Sequence, residues 1–288
     1  WSIASRFLFL LKADSLPWIR KDGQVNPMTR GDNTDQARLS EFFNSLELLS
    51  FAYYFSDDTK YAFKAIDLLN IWLVNEDTRM NPHANYAQGV PGSSTGRQIG
   101  IIEFGGVDNI VAATQILENK GILSESTKSG VDKWLSDWSV WLRTSALGVL
   151  ESEMGNNHGT WYDYQVLGLL LYEGDTVNAV KVLNDFKTKR MAPQIESDGS
   201  QPGELARTKS VNYSTMNLWG MTQIAQMGMQ VDVNLWDYET VDGRSIRKAY
   251  DFFRPYVLNP SSWTWEQITN GGAENALNTL TKPLFSKG

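Results

Sequence analysis

The sequence predicts an all-α protein, an α/α toroid of antiparallel helical hairpins with long loops over a groove or tunnel. Three observations carry this expectation. Apolar residues recur at helical spacing along nearly the whole chain. Strand signals are scarce: there is no alternating run of useful length and no Asn-Gly turn between β-branched runs. Short loops join most helices, while two long Pro- and Gly-containing segments stay outside the pattern, as in folds whose helical hairpins leave long loops on one side.

Phe42, Leu46, Leu49 and Tyr53 fall at i, i+4, i+7 and i+11, one face of a helix. Ala62, Ile66, Leu69 and Leu73 repeat that spacing. Only Ser56-Asp57-Asp58 lies between, a short loop with good N-cap chemistry, so the two form a hairpin. Segment 81–96 (NPHANYAQGVPGSSTG) reads as non-helical. Gly121 stops the helix before it, and Ser124-Glu125-Ser126 opens one carrying Val131, Leu135, Trp138 and Leu142. Gly174-Asp175 is a stop and a start between a helix ending near Glu173 and one running to Arg190. Segment 189–203 (KRMAPQIESDGSQPG) reads as a second long loop, and loops this long inside a domain are usually functional. Further helices are expected over Thr215–Met229 and Arg244–Phe253. There is no linker, composition shift or fixed-period repeat, so residues 1–288 read as one domain with an atypical segment at 1–13.

Composition excludes several classes. Hydrophobic content of 42% and charged content of 20% describe a globular chain rather than a disordered one. With no cysteine there is no disulfide, thiolate metal site or cysteine nucleophile. With only His83 and His158, a three-histidine zinc site is impossible. The net charge of −7 argues against general nucleic-acid binding. The longest apolar run, Phe7–Leu11, is far short of the roughly 20 residues that span a bilayer, so no membrane partner is expected. The chain starts at Trp1 without a visible signal peptide and reads as a mature or trimmed product. The eleven tryptophans include Trp134, Trp138 and Trp141 at i, i+4, i+7, which reads first as helix packing.

Three stretches can carry chemistry. In ESEMGNNHGTWYDYQ (151–165), Asn156 or Asn157 can cap a helix; equally, Asn157 and His158 can point together into a pocket, an amide for a carboxylate and an imidazole for a proton. In QPGELARTKSVNY (201–213), Arg207 can be one half of a surface ion pair or can neutralise an anionic ligand beside a proton-carrying Tyr213. Loop 81–97 contains Gly-Ser-Ser-Thr-Gly but no P-loop lysine and no preceding strand, so it reads as a substrate rim rather than a phosphate cradle. His83 reads as a loop histidine with a local hydrogen bond.

NPHANYAQGVPGSSTGRQIGIIE, NNHGTWYDYQ and ELARTKSVNY, in this order, resemble the alginate lyase domain shared by polysaccharide lyase family 5 and relatives including family 38. The upstream DSLPWIRKDGQVNP is also similar, so the resemblance covers roughly Asp14 to Phe253. It implies the toroid and β-elimination on uronate polymers. It gives Asn157 and Arg207 the substrate carboxylate and makes His158 and Tyr213 the catalytic pair. Tyr86, Gln88 and Trp161 become substrate-binding candidates, and Arg97 and Lys209 join them as local positive charge for a polyanion. It implies no metal and no cofactor. Residues 1–13 lack the family's aromatic–proline stretch, and Asn212 stands where relatives often carry His.

The chemistry is demanding because the proton on C5 of a uronate is a very weak acid beside an ionised carboxylate. The site must cancel that charge as the aci-carboxylate develops. A base then takes the proton and an acid protonates O4. In mannuronate and glucuronate these lie on one face, so Tyr213 alone can serve both; in guluronate His158 is the natural base. The expected partner is an anionic polysaccharide, alginate with polymannuronate first, or glucuronan by the same mechanism, bound by a monomer in the periplasm or outside the cell. Positive charge then has to be local, at Arg207, Lys209 and Arg97. Two rival readings remain. An inverting glycoside hydrolase would need two carboxylates about 6.5–9.5 Å apart, from Glu151, Glu153, Asp163 and Glu204. A uronan-binding protein would need no chemistry at all.

Overall fold

In a computed structural model of the chain, residues 21–30 and 34–277 are described. The run Phe7–Leu11 and the atypical segment 1–13 lie outside the described residues. Contacts divide the chain into two units. The first takes Val25–Glu151 and Gly168–Gly174; the second takes Ser152–Leu167, the chain from Asp175 onward, and the short stretch 21–24. Among the described residues there is no strand, only isolated bridges between Val90 and Ser94 and between Lys209 and Gln267.

In the first unit, α1 (Asp35–Ser56) packs against α2 (Thr59–Leu69) and α3 (Val107–Asn119). Thr34 caps α1 by accepting from the Ala37 N–H. Asp57 takes the left-handed conformation that ends the helix, and Asp58 then caps α2 by accepting from the Lys60 N–H. The predicted hairpin therefore forms on two aspartates with opposite jobs. Phe42, Leu46 and Tyr53 are buried, as are Ala62, Leu69 and Leu73. The last residue of the second helix's predicted face, Leu73, falls in a wide π turn, Asn70–Val74, that ends that helix. Gly121, at φ 68°, closes α3, and Ser124 caps α4 (Glu125–Thr144). Val131, Leu135, Trp138 and Leu142 are fully buried on its inner face. Trp138 stacks on Phe104, Trp134 and Trp141, so the tryptophan stripe is packing, with Trp141 left half-exposed. A short helix, α5 (Ala146–Ser152), has no counterpart in the predicted elements. Loop 81–96 is non-helical, as expected.

α6 (Asn157–Glu173) begins in the second unit and ends in the first. Gly174 at φ 75° and the Asp175 cap then turn the chain into α7 (Thr176–Phe186). The second predicted loop is mostly helix. A π turn, Lys187–Met191, extends α7 into α8 (Ala192–Gln194), and α9 (Pro202–Leu205) follows, leaving only 195–201 irregular. Pro202 opens α9, where a missing N–H costs nothing, while Pro193 lies near the end of the run that α7 begins. The expected start at Thr215 is also too late: α10 spans Ser210–Gly228, which puts Tyr213 in its first turn. α10 packs on α7, α9 and α11 (Ile246–Leu258), and α11 runs through Pro255 beyond its expected end at Phe253.

Candidate active site

The site is assembled at the start of α6. Asn156 caps it, its Oδ1 accepting from the His158 N–H at 3.2 Å, so the helix begins with Asn157 and His158. The preceding turn is fixed from beneath by Arg190, whose side chain is 1% exposed. Its guanidinium donates to both carboxylate oxygens of Asp163 on α6 (2.8 and 3.0 Å), to Met154 O (3.0 Å) and to Ser152 O (2.7 Å). Gly159 makes this possible: a Cβ there would lie 2.7 Å from that guanidinium and 2.0 Å from Met154 O. Gln194 adds a bond from Nε2 to Asn156 O at 3.2 Å.

Asn157 is fully buried. Its backbone N–H donates to Glu204 Oε1 at 2.7 Å, and its Nδ2 donates to both Glu204 oxygens at 3.0 and 2.8 Å. The carboxylate thereby fixes which way the amide faces. Asn157 Oδ1 is left buried and without a hydrogen-bond partner among the described residues. Burial pushes the Glu204 carboxyl up from its ordinary range; the Asn157 bonds and the nearby charges of Arg207 and His158 pull it back. Glu204 is thus the hub that His158, Asn157 and Arg207 surround.

Arg207 lies in the turn between α9 and α10, not on a continuous helix with Tyr213. Its guanidinium carbon sits 3.6 Å from the centre of the Tyr213 ring, a close cation–π contact. Nε and Nη2 grip the Asp22 carboxylate at 2.6–3.1 Å, and the Thr208 N–H and hydroxyl each donate to Asp22 at 3.0 Å. Those Arg207 bonds hold the Asp22 carboxyl far below its usual range. The start of α10 is clamped by 266–268: Ser210 donates to Glu266 O from both N–H and Oγ, Ile268 N–H donates to Thr208 O, and Trp263 Nε1 donates to Ser210 Oγ at 2.9 Å. Asn212, the departure from the family pattern, accepts from Gln267 Nε2.

The structure therefore brings Asn157, His158, Arg207 and Tyr213 together. Lys209 and Trp161 lie in the same unit, half-exposed. Trp161 rests against Gly220 of α10 and edge-on to Tyr164 at 5.1 Å. Tyr86, Gln88 and Arg97 belong to the first unit. There Arg97 donates to Gln88 O (2.8 Å) and Oε1 (3.4 Å), and Gln88 Nε2 donates to Glu103 at 3.1 Å. Tyr86 meets the His83 ring at 6.0 Å, and the Asn85 N–H donates to His83 Nδ1 at 3.5 Å, a local bond of the kind expected of a loop histidine.

Sequence reasoning missed Asp22 and Arg190, and named Glu204 only as a hydrolase carboxylate. Three of the four hydrolase candidates are held by other side chains: Asp163 by Arg190, Glu204 by Asn157, and exposed Glu153 by Lys189 at 3.0 Å. Among the described residues no cluster of three or more His, Asp or Glu side chains is arranged to hold a metal. No helix among them is long and apolar enough to cross a membrane.

The family model described as alginate lyase matches residues 5–263, which include all four residues of the cluster. A crystal structure of an alginate lyase from Bacteroides ovatus aligns with a TM-score of 0.86 at 36% identity, over 94% of this chain and 74% of that one. Two structures of alginate lyase A1-III variants complexed with tetrasaccharide align at TM-scores of 0.61 and 0.62. Their identities are 20% and 17%, over 83% and 87% of this chain and 62% and 66% of theirs, a likeness of fold alone. No curated protein sequence matches. The fold is the α/α toroid of these enzymes.

Proposed function

The chain belongs to the alginate lyase family, polysaccharide lyases that break carbon–oxygen bonds, and on that premise we propose that it cleaves 1,4-linked uronans, alginate and polymannuronate first, by β-elimination. The observation that carries the residue roles is the Arg207 guanidinium stacked on the Tyr213 ring at 3.6 Å, beside the Asn157–Glu204 pair. Arg207 faces the C5 carboxylate and offsets the charge that builds on it. Asn157 is proposed to join Arg207 on that carboxylate through an Nδ2 hydrogen turned from Glu204, which holds the amide in the free protein. Tyr213 takes the C5 proton and returns one to O4 where both lie on one face. His158 takes the proton where they do not. A cation lying on the phenol ring favours the negative charge that passes through Tyr213 during transfer.

Trp161, Lys209, Tyr86, Gln88 and Arg97 are proposed to bind the sugar chain. We take residues 1–288 as one catalytic domain, since the two units share α6, and as a monomer working in the periplasm or outside the cell, where such polymers occur. The test is the ultraviolet absorbance of the new double bond, followed on polymannuronate, polyguluronate, mixed alginate and glucuronan. Tyr213→Phe is expected to lower kcat by about 100-fold or more on the preferred polymer. An unchanged rate in that variant ends the role given to Tyr213, and products without a double bond end the lyase reading.

A further inference from the structure

We propose that Asp22 is a positioning residue for the elimination: it holds the Arg207 guanidinium flat against Tyr213 and leaves its Nη1/Nη2 end to meet the substrate carboxylate. This rests on the function proposed above. Arg207 has five N–H donors in a rigid plane, and a carboxylate that takes two neighbouring nitrogens fixes the plane's orientation. Asp22 takes Nε and Nη2 at 2.6–3.1 Å, and no hydrogen bond is made by Nη1 among the described residues. The plane so fixed lies over the Tyr213 ring at 3.6 Å.

Asp22 is itself held from the other side. The Thr208 N–H and hydroxyl both reach its Oδ2 at 3.0 Å. Gly23, at φ 66°, lets the chain pass where any Cβ would lie 2.4 Å from Thr208 Oγ1. A carboxylate on an ordinary surface pair would carry no such second anchorage. Stretch 21–24 therefore works as a strap, bringing one carboxylate from 185 residues away to the guanidinium.

The arrangement has two consequences. Substrate carboxylate meets Arg207 through the remaining fork, one N–H from each of Nη1 and Nη2. Its ground-state attraction to Arg207 is also reduced, because Asp22 already offsets the charge. Loss of the Asp22 charge should thus spare or tighten ground-state binding while spoiling the geometry that matters in the transition state.

Asp22→Asn keeps the shape and the Thr208 contacts. It is expected to lower kcat on the order of 100-fold with KM unchanged or lower, and thermal unfolding should show the variant folded. Asp22→Glu, which keeps the charge, should retain more of kcat than Asp22→Asn. In Asp22→Ala, added formate should restore part of kcat by refilling the carboxylate position, which a purely structural role would not allow. The inference is overturned if kcat of Asp22→Asn stays within threefold of the parent (about 0.7 kcal/mol), if the loss falls wholly on KM, or if formate leaves Asp22→Ala unchanged. Absence of unsaturated product from the unaltered enzyme would instead overturn the proposed function, so the two failures are distinct.

Discussion

Replacing Arg190 with Met tests whether the turn before Asn157 is held by charge or only by packing. The side chain is 1% exposed and makes four bonds: two to Asp163, one to Met154 O and one to Ser152 O. Met fills similar volume but leaves the Asp163 carboxylate buried without its cation. Breaking one side of such a pair costs about 3–5 kcal/mol. Two carbonyls also lose donors, which places the cost toward the upper end. Asp163→Leu alone strands the guanidinium instead and costs a comparable amount. Arg190→Met with Asp163→Leu removes both charges, so the double variant should cost less than either single one, with a coupling of at least about 3 kcal/mol. Urea denaturation at neutral pH, followed by circular dichroism on the four proteins, gives each quantity from shifts in midpoint at constant slope. A single variant within about 1 kcal/mol of the parent, or a double variant costing the sum of the two, would refute the assignment of Arg190 as the charge that holds this turn.

Two further outcomes follow from burial. Glu204 has its folded pKa raised above its ordinary 4.5, so its stabilising contribution is complete below 4.5 and is lost as pH rises through the folded value. Glu204→Gln imitates the protonated acid at every pH, so parent and variant should be most alike in acid, and the parent should lose stability relative to the variant as pH rises toward neutrality. A parent that gains on the variant as pH rises would reverse the sign of that reasoning. For Asp22 the linkage runs the other way, its contribution being present above 3.8 and lost as pH falls. Trp138→Ala empties a fully buried site between Phe104, Trp134 and Trp141 and should cost about 3–5 kcal/mol in thermal or urea unfolding. Half-exposed Trp141→Ala should cost much less, and equal losses would contradict the packing described.

The helices were legible where period and punctuation agreed. Leu135 and Trp138 face inward because of their spacing, and Gly121 and Gly174 stop helices because only a left-handed residue turns the chain there. The failures came where punctuation misled. Pro202 looks like a break in sequence but opens α9, and Pro193 lies within α8, into which α7 runs on through the π turn. In the motif, the two amides looked interchangeable as caps, yet the fold divides the work: Asn156 caps and Asn157 binds Glu204. Glu204 sits inside a motif already singled out, and nothing local says that its partner is 47 residues earlier. Asp22 is harder still, because an acid is found by where the chain brings it, and no spacing rule reaches across 185 residues.

An acidic protein and a polyanionic substrate look opposed until the second unit's cations are followed to their partners. Arg190 meets Asp163, Arg207 meets Asp22, Arg244 meets Glu196 and Asp242, Arg247 meets Asp237, and Lys189 meets Glu153. A charge with its counter-ion at contact acts at a distance as a dipole, whose field dies away much faster than that of a lone ion. A net charge of −7 therefore coexists with strong local donors, because each guanidinium is available only to a group that reaches its free edge. For Arg207 that edge is the Nη1/Nη2 end, the guanidinium lying over the ring of Tyr213. Recognition by contact rather than by long-range attraction suits a lyase. A site that gripped every carboxylate of the polymer equally would stabilise bound substrate as much as the transition state and gain nothing in rate. With Asp22 offsetting most of the ground-state attraction, the charge of Arg207 counts most when a second negative charge develops at C5, the moment at which the reaction needs it.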